Sequence, residues 1–125
     1  MSSSVLLVDD DLETLELVGT VLERNGYTIL AARSGAKALE IAHKEIPDLI
    51  LLDVMMPGMD GYEVLNRLKG DEATATIPVV IFSARNQIDD QLQGLEAGAE
   101  DYIPKPVQVQ DLVKSLEKIF HDQIS

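Results

Sequence analysis

Five short apolar segments, separated by longer stretches with helical spacing, constrain the fold of this chain more than any other feature. The segments are VLLV at 5–8, TILAA at 28–32, LILL at 49–52, PVVIF at 78–82 and DYI at 101–103. They are continuous rather than alternating, which is typical of strands covered on both faces. Regular alternation of strands and helices indicates βα units around a parallel sheet. The sequence therefore predicts an α/β domain with five strands and five helices.

The spacing of apolar residues places the first and last helices. The first spans about residues 12–24, with an apolar stripe of Leu12, Leu15, Val18 and Leu22. The last spans about residues 109–120, with a stripe of Val109, Leu112, Val113, Leu116, Ile119 and Phe120. Glycines in RNGY and LKGD stand where helices should end. With 125 residues and no internal repeat or linker, we expect one three-layer domain over residues 1–125.

Charge and composition exclude several classes of function. The chain has 10 Lys and Arg against 22 Asp and Glu, a net charge of −12, so its field repels nucleic acid and anionic membranes. It has no cysteine, which excludes disulfides and thiolate metal sites. No apolar run approaches the roughly 20 residues of a membrane span, and the start lacks the features of a signal peptide. A soluble cytoplasmic protein is expected.

Polar residues follow four of the predicted strands. Asp9, Asp10 and Asp11 come after the first, Asp53 after the third, Ser83 after the fourth and Lys105 after the fifth. In an open parallel sheet these positions share the carboxyl edge, where ligands bind. These side chains are therefore expected to converge on one site.

Helix capping is the simpler interpretation of such residues. Asp10 or Asp11 suits the first helix, with Glu13 placed to close a capping box from Asp10. Asp60 suits the third helix, and Asn86 suits the fourth. Capping thus leaves Asp53 and Ser83 without a role, although for either residue alone the two interpretations are about equal.

The predicted cluster has a definite chemistry. Clustered carboxylates bind a cation or have raised pKa values. Oxygen ligands without His or Cys favour Mg²⁺, which keeps room for a phosphoryl group. Lys105 would provide a second positive charge, Ser83 a hydrogen bond, and Asp53 a nucleophile that forms an acyl phosphate. The residues therefore predict Mg²⁺-assisted phosphorylation of an aspartate.

Four motifs, in this order, give the chain a family resemblance: LLVDDD, LILLDVMMPGMDGYEVL, VVIFSA and GAEDYIPKP. Together they resemble the receiver (CheY-like) domain of two-component response regulators, over essentially the whole chain. The resemblance implies a flavodoxin-like doubly wound sheet with strand order 2-1-3-4-5. It also implies a phosphorelay signalling domain rather than an enzyme, one that promotes its own phosphorylation and dephosphorylation, with no output domain in this chain.

The resemblance assigns roles to individual residues. It implies that Asp53 is the phosphoacceptor and that Asp9, Asp10, Asp53 and the main-chain carbonyl of Met55 hold Mg²⁺. Lys105 would bind the phosphoryl group, with a cis bond to Pro106. Ser83 would be the switch hydroxyl and Tyr102 the switch aromatic, although an aromatic in an edge strand is more often a packing residue.

The same resemblance implies partners. They are a sensor histidine kinase or a histidine phosphotransfer protein, and an unidentified downstream effector, with the chain a monomer or a weak phosphorylation-dependent dimer. Leu17 and Val21 lie four residues apart, away from the predicted core stripe, and form a candidate docking patch. Partial burial of that pair under a neighbouring loop is equally compatible with the sequence. Met55 and Arg85 occupy positions that in this family tune the lifetime of the phosphoryl group.

Two other functions remain as alternatives. A haloacid-dehalogenase-like Mg²⁺ phosphatase would use Asp9 as nucleophile, with Asp11 completing an Asp-x-Asp spacing. Glu13 stands where that family has Thr or Val, and no acidic pair follows Lys105. A small flavin carrier would need a hydroxyl- and glycine-rich phosphate loop, and DDDLET is electrostatically hostile to an FMN phosphate.

Overall fold

In the computed structural model, strands and helices alternate along the whole chain. The structure describes residues 3–56, 60–84 and 88–124. The elements are β1 (Ser4–Val8), α1 (Leu12–Arg24), β2 (Thr28–Ala32), α2 (Gly35–Glu45), β3 (Leu49–Leu52), α3 (Gly61–Gly70), β4 (Val79–Ser83), α4 (Ile88–Glu96), β5 (Asp101–Pro104) and α5 (Val109–Ile124). The prediction of five strands alternating with five helices is confirmed.

All five strands form one parallel sheet in the order β2-β1-β3-β4-β5. Val8 pairs with both Ala32 and Leu52, the last residues of the strands on either side of β1. Ser83, at the end of β4, pairs with Pro104 at the end of β5. The strands therefore end together at one edge of the sheet, and the predicted strand order is confirmed.

The sheet has an apolar core on each face, which explains why its strands are continuously apolar. Along β1, Leu6 and Val8 belong to one core, whereas Val5 and Leu7 belong to the other. The first core includes buried residues of α2 and α3, and the second includes buried residues of α1 and α5. Burial on both faces leaves no position on the central strands for an exposed polar residue.

Helix α1 has the predicted bounds, but its apolar stripe is shorter than predicted. Leu15, Val18 and Leu22 are buried, whereas Leu12 is exposed. Leu12 is the first residue of α1, and it is not among the residues of either core. Helix α5 continues past the predicted end at residue 120, as far as Ile124.

Capping agrees with the sequence in part. The Asp60 carboxylate accepts the Tyr62 N–H at 2.9 Å, which confirms Asp60 as the N-cap of α3. Asp11, not Asp10, is the N-cap residue of α1, and its carboxylate accepts the Thr14 hydroxyl at 2.6 Å. The predicted Asn86 cap lies outside the described residues.

The helix ends were predicted less well. Gly26 follows α1 with φ of 94°, as expected of a left-handed residue after a helix. Gly70 is the last residue of α3 and does not adopt a positive φ. The end of α2 was not predicted, because Ile46 takes the left-handed conformation with φ of 43°.

Across the described ranges, no helix has the length and apolar character needed to cross a membrane.

Candidate functional site

Two neighbouring central strands carry the acidic residues of the site. The Asp9 N–H donates to the Ala32 carbonyl at 3.1 Å, and the Asp53 N–H donates to the Val8 carbonyl at 2.9 Å. These bonds continue the sheet one residue beyond each strand. Asp9 and Asp53 are therefore held side by side at its carboxyl edge, and both side chains are buried.

Asp9, Asp10 and Asp53 form one cluster, as the sequence predicts. One carboxylate oxygen from each lies within 4.8 Å of the other two. In the described part of the chain, this is the one group of three or more His, Cys, Asp or Glu residues arranged so closely. A set of oxygen donors with no nitrogen or sulfur suits a hard divalent cation, so these residues fit Mg²⁺.

Lys105 brings a positive charge to the cluster from the end of β5. Its ammonium nitrogen lies 2.7 Å from Asp9 Oδ2 and 3.7 Å from Asp53 Oδ2. The same nitrogen lies 4.8 Å from the centroid of the Phe82 ring, within range of a cation–π interaction. The Lys105 N–H donates to the Ser83 carbonyl at 2.8 Å, and the bond from Lys105 to Pro106 is cis, as expected. The predicted convergence of Lys105 on the aspartates is confirmed.

The environment of Asp53 works against its ionised form. Burial raises the pKa of this carboxyl above its ordinary value, and the negative charges of Asp9 and Asp10 act in the same direction. The Met55 N–H, 2.9 Å from Asp53 Oδ1, and the Lys105 ammonium oppose the rise in pKa. A buried carboxylate of this kind has more to gain from added positive charge than one on the surface.

Three other predicted residues lie at or near this edge. The Ser83 side chain is fully buried at the end of β4. The Met55 side chain is exposed, while the backbone N–H of Met55 donates to Asp53 Oδ1. The Tyr102 side chain is only 6% exposed and belongs to a core cluster that includes Ile81. The metal-binding role of the Met55 carbonyl and the switch roles of Ser83 and Tyr102 stay predictions.

Gly61 supports the site and was missed by the sequence reasoning. A Cβ at residue 61 would lie 2.2 Å from Val54 Cα and 2.9 Å from the Asp53 carbonyl oxygen, so no other residue fits. The absence of a side chain lets α3 begin directly against the backbone that follows Asp53. The signal was a glycine at the first helical position after Asp60, a place where Gly gives no benefit to the helix.

Arg33 is a second residue that the sequence reasoning missed. Its guanidinium donates to the Asp10 carbonyl at 3.2 Å, so β2 also contributes to this edge. Arg33 is the first polar side chain after β2. Its place directly after a strand was the signal, because the other polar residues of this edge also follow strands.

The two residues of the candidate docking patch on α1 differ in exposure. Leu17 is 58% exposed, whereas Val21 is partly buried against the core beneath α1 and α5. Its role in docking stays a prediction. Arg85, the other expected determinant of phosphoryl lifetime, lies outside the described residues.

Comparisons with known proteins place the chain in a family. The family model described as "Response regulator receiver domain" matches residues 5–117. The chain is 40% identical over 119 residues to the phosphate regulon transcriptional regulatory protein PhoB of Pseudomonas aeruginosa, covering 95% of this chain and 52% of that protein. It is 45% identical over 107 residues to the response regulator PleD of Caulobacter vibrioides, covering 86% of this chain and 24% of that protein.

A solved structure has the same architecture. It is described as a putative response regulator from Chloroflexus aurantiacus, 37% identical, with a TM-score of 0.90, covering 95% of this chain and 98% of that one. The chain spans about half the length of PhoB and about a quarter of PleD. These similarities give no support to the phosphatase alternative.

Proposed function

Because the chain belongs to the family of response regulator receiver domains, we propose that its signalling role depends on transfer of a phosphoryl group to Asp53. The observation that carries the proposal is the pairing of charges around this residue. Asp53 is buried beside two other carboxylates, and the Lys105 ammonium lies 3.7 Å from its Oδ2. The donor is a sensor histidine kinase or a histidine phosphotransfer protein.

The two oxygens of the Asp53 carboxylate have different contacts. Oδ1 accepts the Met55 N–H, and Oδ2 faces Lys105. Oδ2 is therefore the attacking atom: it forms the new bond to phosphorus, while the bond to the donor breaks and its electron pair leaves with the donor. Lys105 then binds the phosphoryl oxygens, and Ser83 donates a hydrogen bond to them.

Asp9, Asp10, Asp53 and the Met55 carbonyl are the groups that would hold Mg²⁺. When bound, the ion would supply positive charge next to the transferred group. Lys105, Asp9 and Asp53 already form a network of opposite charges, so the aspartates have a counter-charge before any ion binds. Removal of divalent ions should abolish phosphorylation without unfolding the domain.

Phosphorylation adds about −1.5 to −2 charge at the carboxyl edge. Ser83 moves toward this charge, and Tyr102 changes its position beside α4. Tyr102 is buried in the core beneath α4 in the structure, so a change in its position alters the packing under that helix. The result is a shift between two states of the surface formed by α4, β5 and α5.

Several further properties follow from the same role. The domain promotes loss of its own phosphoryl group, with Met55 and Arg85 controlling the access of water. It acts in the cytoplasm as a unit covering residues 1–125, as a monomer or as a weak dimer after phosphorylation. Leu17 and Val21 contribute to kinase docking.

The test is phosphorylation by acetyl phosphate with Mg²⁺, followed by intact mass spectrometry. We expect one added phosphoryl group, lost in Asp53→Asn and in the presence of EDTA. Asp89→Asn removes an exposed acid from α4 and should be labelled like the parent chain, which controls for net charge. Mapping of the acyl phosphate to Asp9, or full labelling of Asp53→Asn, would refute the proposal.

A further inference from the structure

The Lys105 side chain reaches across part of the sheet to meet its partners. Lys105 follows β5, an edge strand, whereas Asp53 and Asp9 follow β3 and β1, and β4 lies between them and β5. The ammonium group is therefore carried past the end of β4 before it meets either aspartate. The side chain beside it there is Phe82, whose ring centroid lies 4.8 Å from the Lys105 nitrogen.

The fold holds Phe82 firmly in this position. Phe82 pairs with Ile103 in the register of β4 and β5. It is 8% exposed and belongs to the core that includes buried residues of α1 and α5. Phe82 also lines one small cavity together with Asp9 and Asp53. A ring buried in a strand has little freedom to move, whereas a lysine has a flexible four-carbon stem. The ring therefore sets the place of the ammonium, and not the reverse.

The three side chains around the Lys105 ammonium differ in one respect. Asp9 and Asp53 are also groups that would hold Mg²⁺, and a cation bound there would compete with Lys105 for the same carboxylates. The Phe82 ring is not a member of that ligand set. The negative face of an aromatic ring attracts an ammonium group, more strongly where water is excluded. The Lys105 side chain is only 22% exposed, so the ring provides an attraction that does not depend on the carboxylates.

Packing is the usual role of a buried ring, and Phe82 does pack in the core. Packing in this strand is otherwise achieved without aromatic residues, since the sequence of β4 is VVIFS. Its one aromatic residue is the one that lies beside the ammonium. The position of the ring thus indicates a contact with charge in addition to a contact with the core.

We propose that Phe82 is a positioning residue, whose ring keeps the Lys105 ammonium beside Asp53 when a cation occupies the aspartates. The inference rests on the proposed function, because the ammonium held in this way is the one that binds the phosphoryl oxygens. Without the attraction of the ring, Lys105 leaves the aspartates for solvent. The transferred group then meets one positive charge fewer.

The test replaces Phe82 by pentafluorophenylalanine, introduced at this one position of the full chain by nonsense suppression. Fluorine withdraws electrons from the face of the ring, so the attraction for an ammonium is lost while the shape changes little. Phosphorylation by acetyl phosphate with Mg²⁺, followed by intact mass spectrometry, should become about fivefold slower, which corresponds to a contact worth about 1 kcal/mol. A ring with one fluorine should give an intermediate rate. An unchanged rate would overturn the proposal.

The matched control is the same replacement at Phe120, the other phenylalanine of the chain. Phe120 stacks on Tyr27 and lines a cavity with Pro47 and Pro78, which precede β3 and β4, so it lies at the opposite edge of the sheet. This replacement should leave the phosphorylation rate unchanged. Equal slowing at both positions would assign the effect to a general loss of stability and would also overturn the proposal.

A second measurement follows the Lys105 side chain itself and needs no phosphorylation. Protons near the face of an aromatic ring resonate upfield in NMR spectra. The ε-methylene protons of Lys105 should therefore show a ring-current shift in the parent chain, both in EDTA and with Mg²⁺, and Phe82→Leu should abolish it. Loss of the shift when Mg²⁺ is added to the parent chain would refute the positioning role, because the ammonium would then leave the ring as the cation binds.

The two proposals fail in different ways. If the parent chain never carries a phosphoryl group on Asp53, the proposed function is wrong, and the NMR measurement still decides whether the ring holds Lys105. If Asp53 is phosphorylated at the same rate with either ring at residue 82, the positioning role of Phe82 alone is wrong.

Discussion

Helices α4 and α5 pack against opposite faces of the edge strand β5 and are constructed in opposite ways. Helix α5 buries Leu112, Val113 and Leu116 and is further fixed by Phe120, whose ring stacks on Tyr27 with centroids 5.3 Å apart. Helix α4 buries Gly94 and exposes its large apolar residues. Both are amphipathic, but only α5 directs its apolar face at the sheet.

The two helices therefore differ in how much they stabilise the fold. Apolar burial stabilises a fold in proportion to the area removed from water, so α5 contributes much more than α4. Helix α4 is held by close backbone packing over Tyr102 and Ile81. A helix attached in this way can move at a lower cost than one that buries large apolar side chains.

Truncation of Leu116 should produce the largest effect. This side chain is fully buried, so Leu116→Ala should lower the free energy of unfolding by about 2–5 kcal/mol. Urea denaturation followed by circular dichroism measures the change. A loss below about 1 kcal/mol would mean that the packing of α5 against the sheet contributes little to the free energy of unfolding.

An added methyl group at Gly94 should have an intermediate effect. Gly94→Ala places a Cβ against Ile81 and Tyr102, which should lower the free energy of unfolding by about 1–3 kcal/mol. The higher helix propensity of Ala offsets part of this loss. Amide signals around Tyr102 should shift in NMR spectra. Gly70→Ala is the matched control, because nothing lies within 4 Å of its Cβ position. Equal effects of the two substitutions would mean that the close contact of Gly94 with Ile81 and Tyr102 does not affect stability.

The carboxyl edge extends the contrast, because burial of the Asp53 carboxylate there lowers stability. Since burial raises the pKa of Asp53, folding favours its protonated form. The stabilisation from protonation is complete below the ordinary pKa of 3.8 and is lost as pH rises through the folded-state pKa. Asp53→Asn should therefore raise the Tm at pH 7 by a few degrees, about 2–6 °C.

Calorimetry in EDTA measures this gain, which should shrink as the pH is lowered through the folded-state pKa toward 3.8. Asp89→Asn again serves as the exposed control and should change the Tm little. A lower Tm for Asp53→Asn at pH 7 would show that Lys105 and the Met55 N–H outweigh the cost of burial.

The smallest effect is expected on the outer face of α4. Leu92→Ala removes a half-exposed side chain and should change the free energy of unfolding by no more than about 0.5 kcal/mol. Measured under the same denaturation conditions as Leu116→Ala, this variant shows how much less a side chain of α4 contributes to stability than one of α5. A loss above about 1.5 kcal/mol would mean that the outer face of α4 is packed in solution.

The sequence predicted those parts of the site that depend on topology. Asp9 and Lys105 are 96 residues apart, but both follow strands of one parallel sheet, so their meeting follows from the alternation of strands and helices. Features that depend on which way a helix faces were harder to predict. Periodicity shows that α4 has an apolar side, but not that this side faces solvent, and Leu12 was wrongly assigned to the core for the same reason.

Close backbone approaches were also invisible in the sequence. Gly61 and Gly94 each stand where a Cβ would collide with a neighbouring element, and that neighbour is known only once the elements are packed. Val21 illustrates the limit on surface predictions, since its burial depends on how α1 and α5 meet. The strand order was implied by family resemblance rather than by the residue pattern.

The 96-residue separation of Asp9 and Lys105 also matters during synthesis of the chain. The ribosome makes β1 and β3 well before residue 105, so an incomplete chain has its acidic cluster without the lysine that neutralises it. A nascent or truncated chain that ends before β5 therefore lacks the ammonium group that lies 2.7 Å from Asp9 Oδ2. The pairing of charges at the carboxyl edge is thus complete only after the last strand has been made.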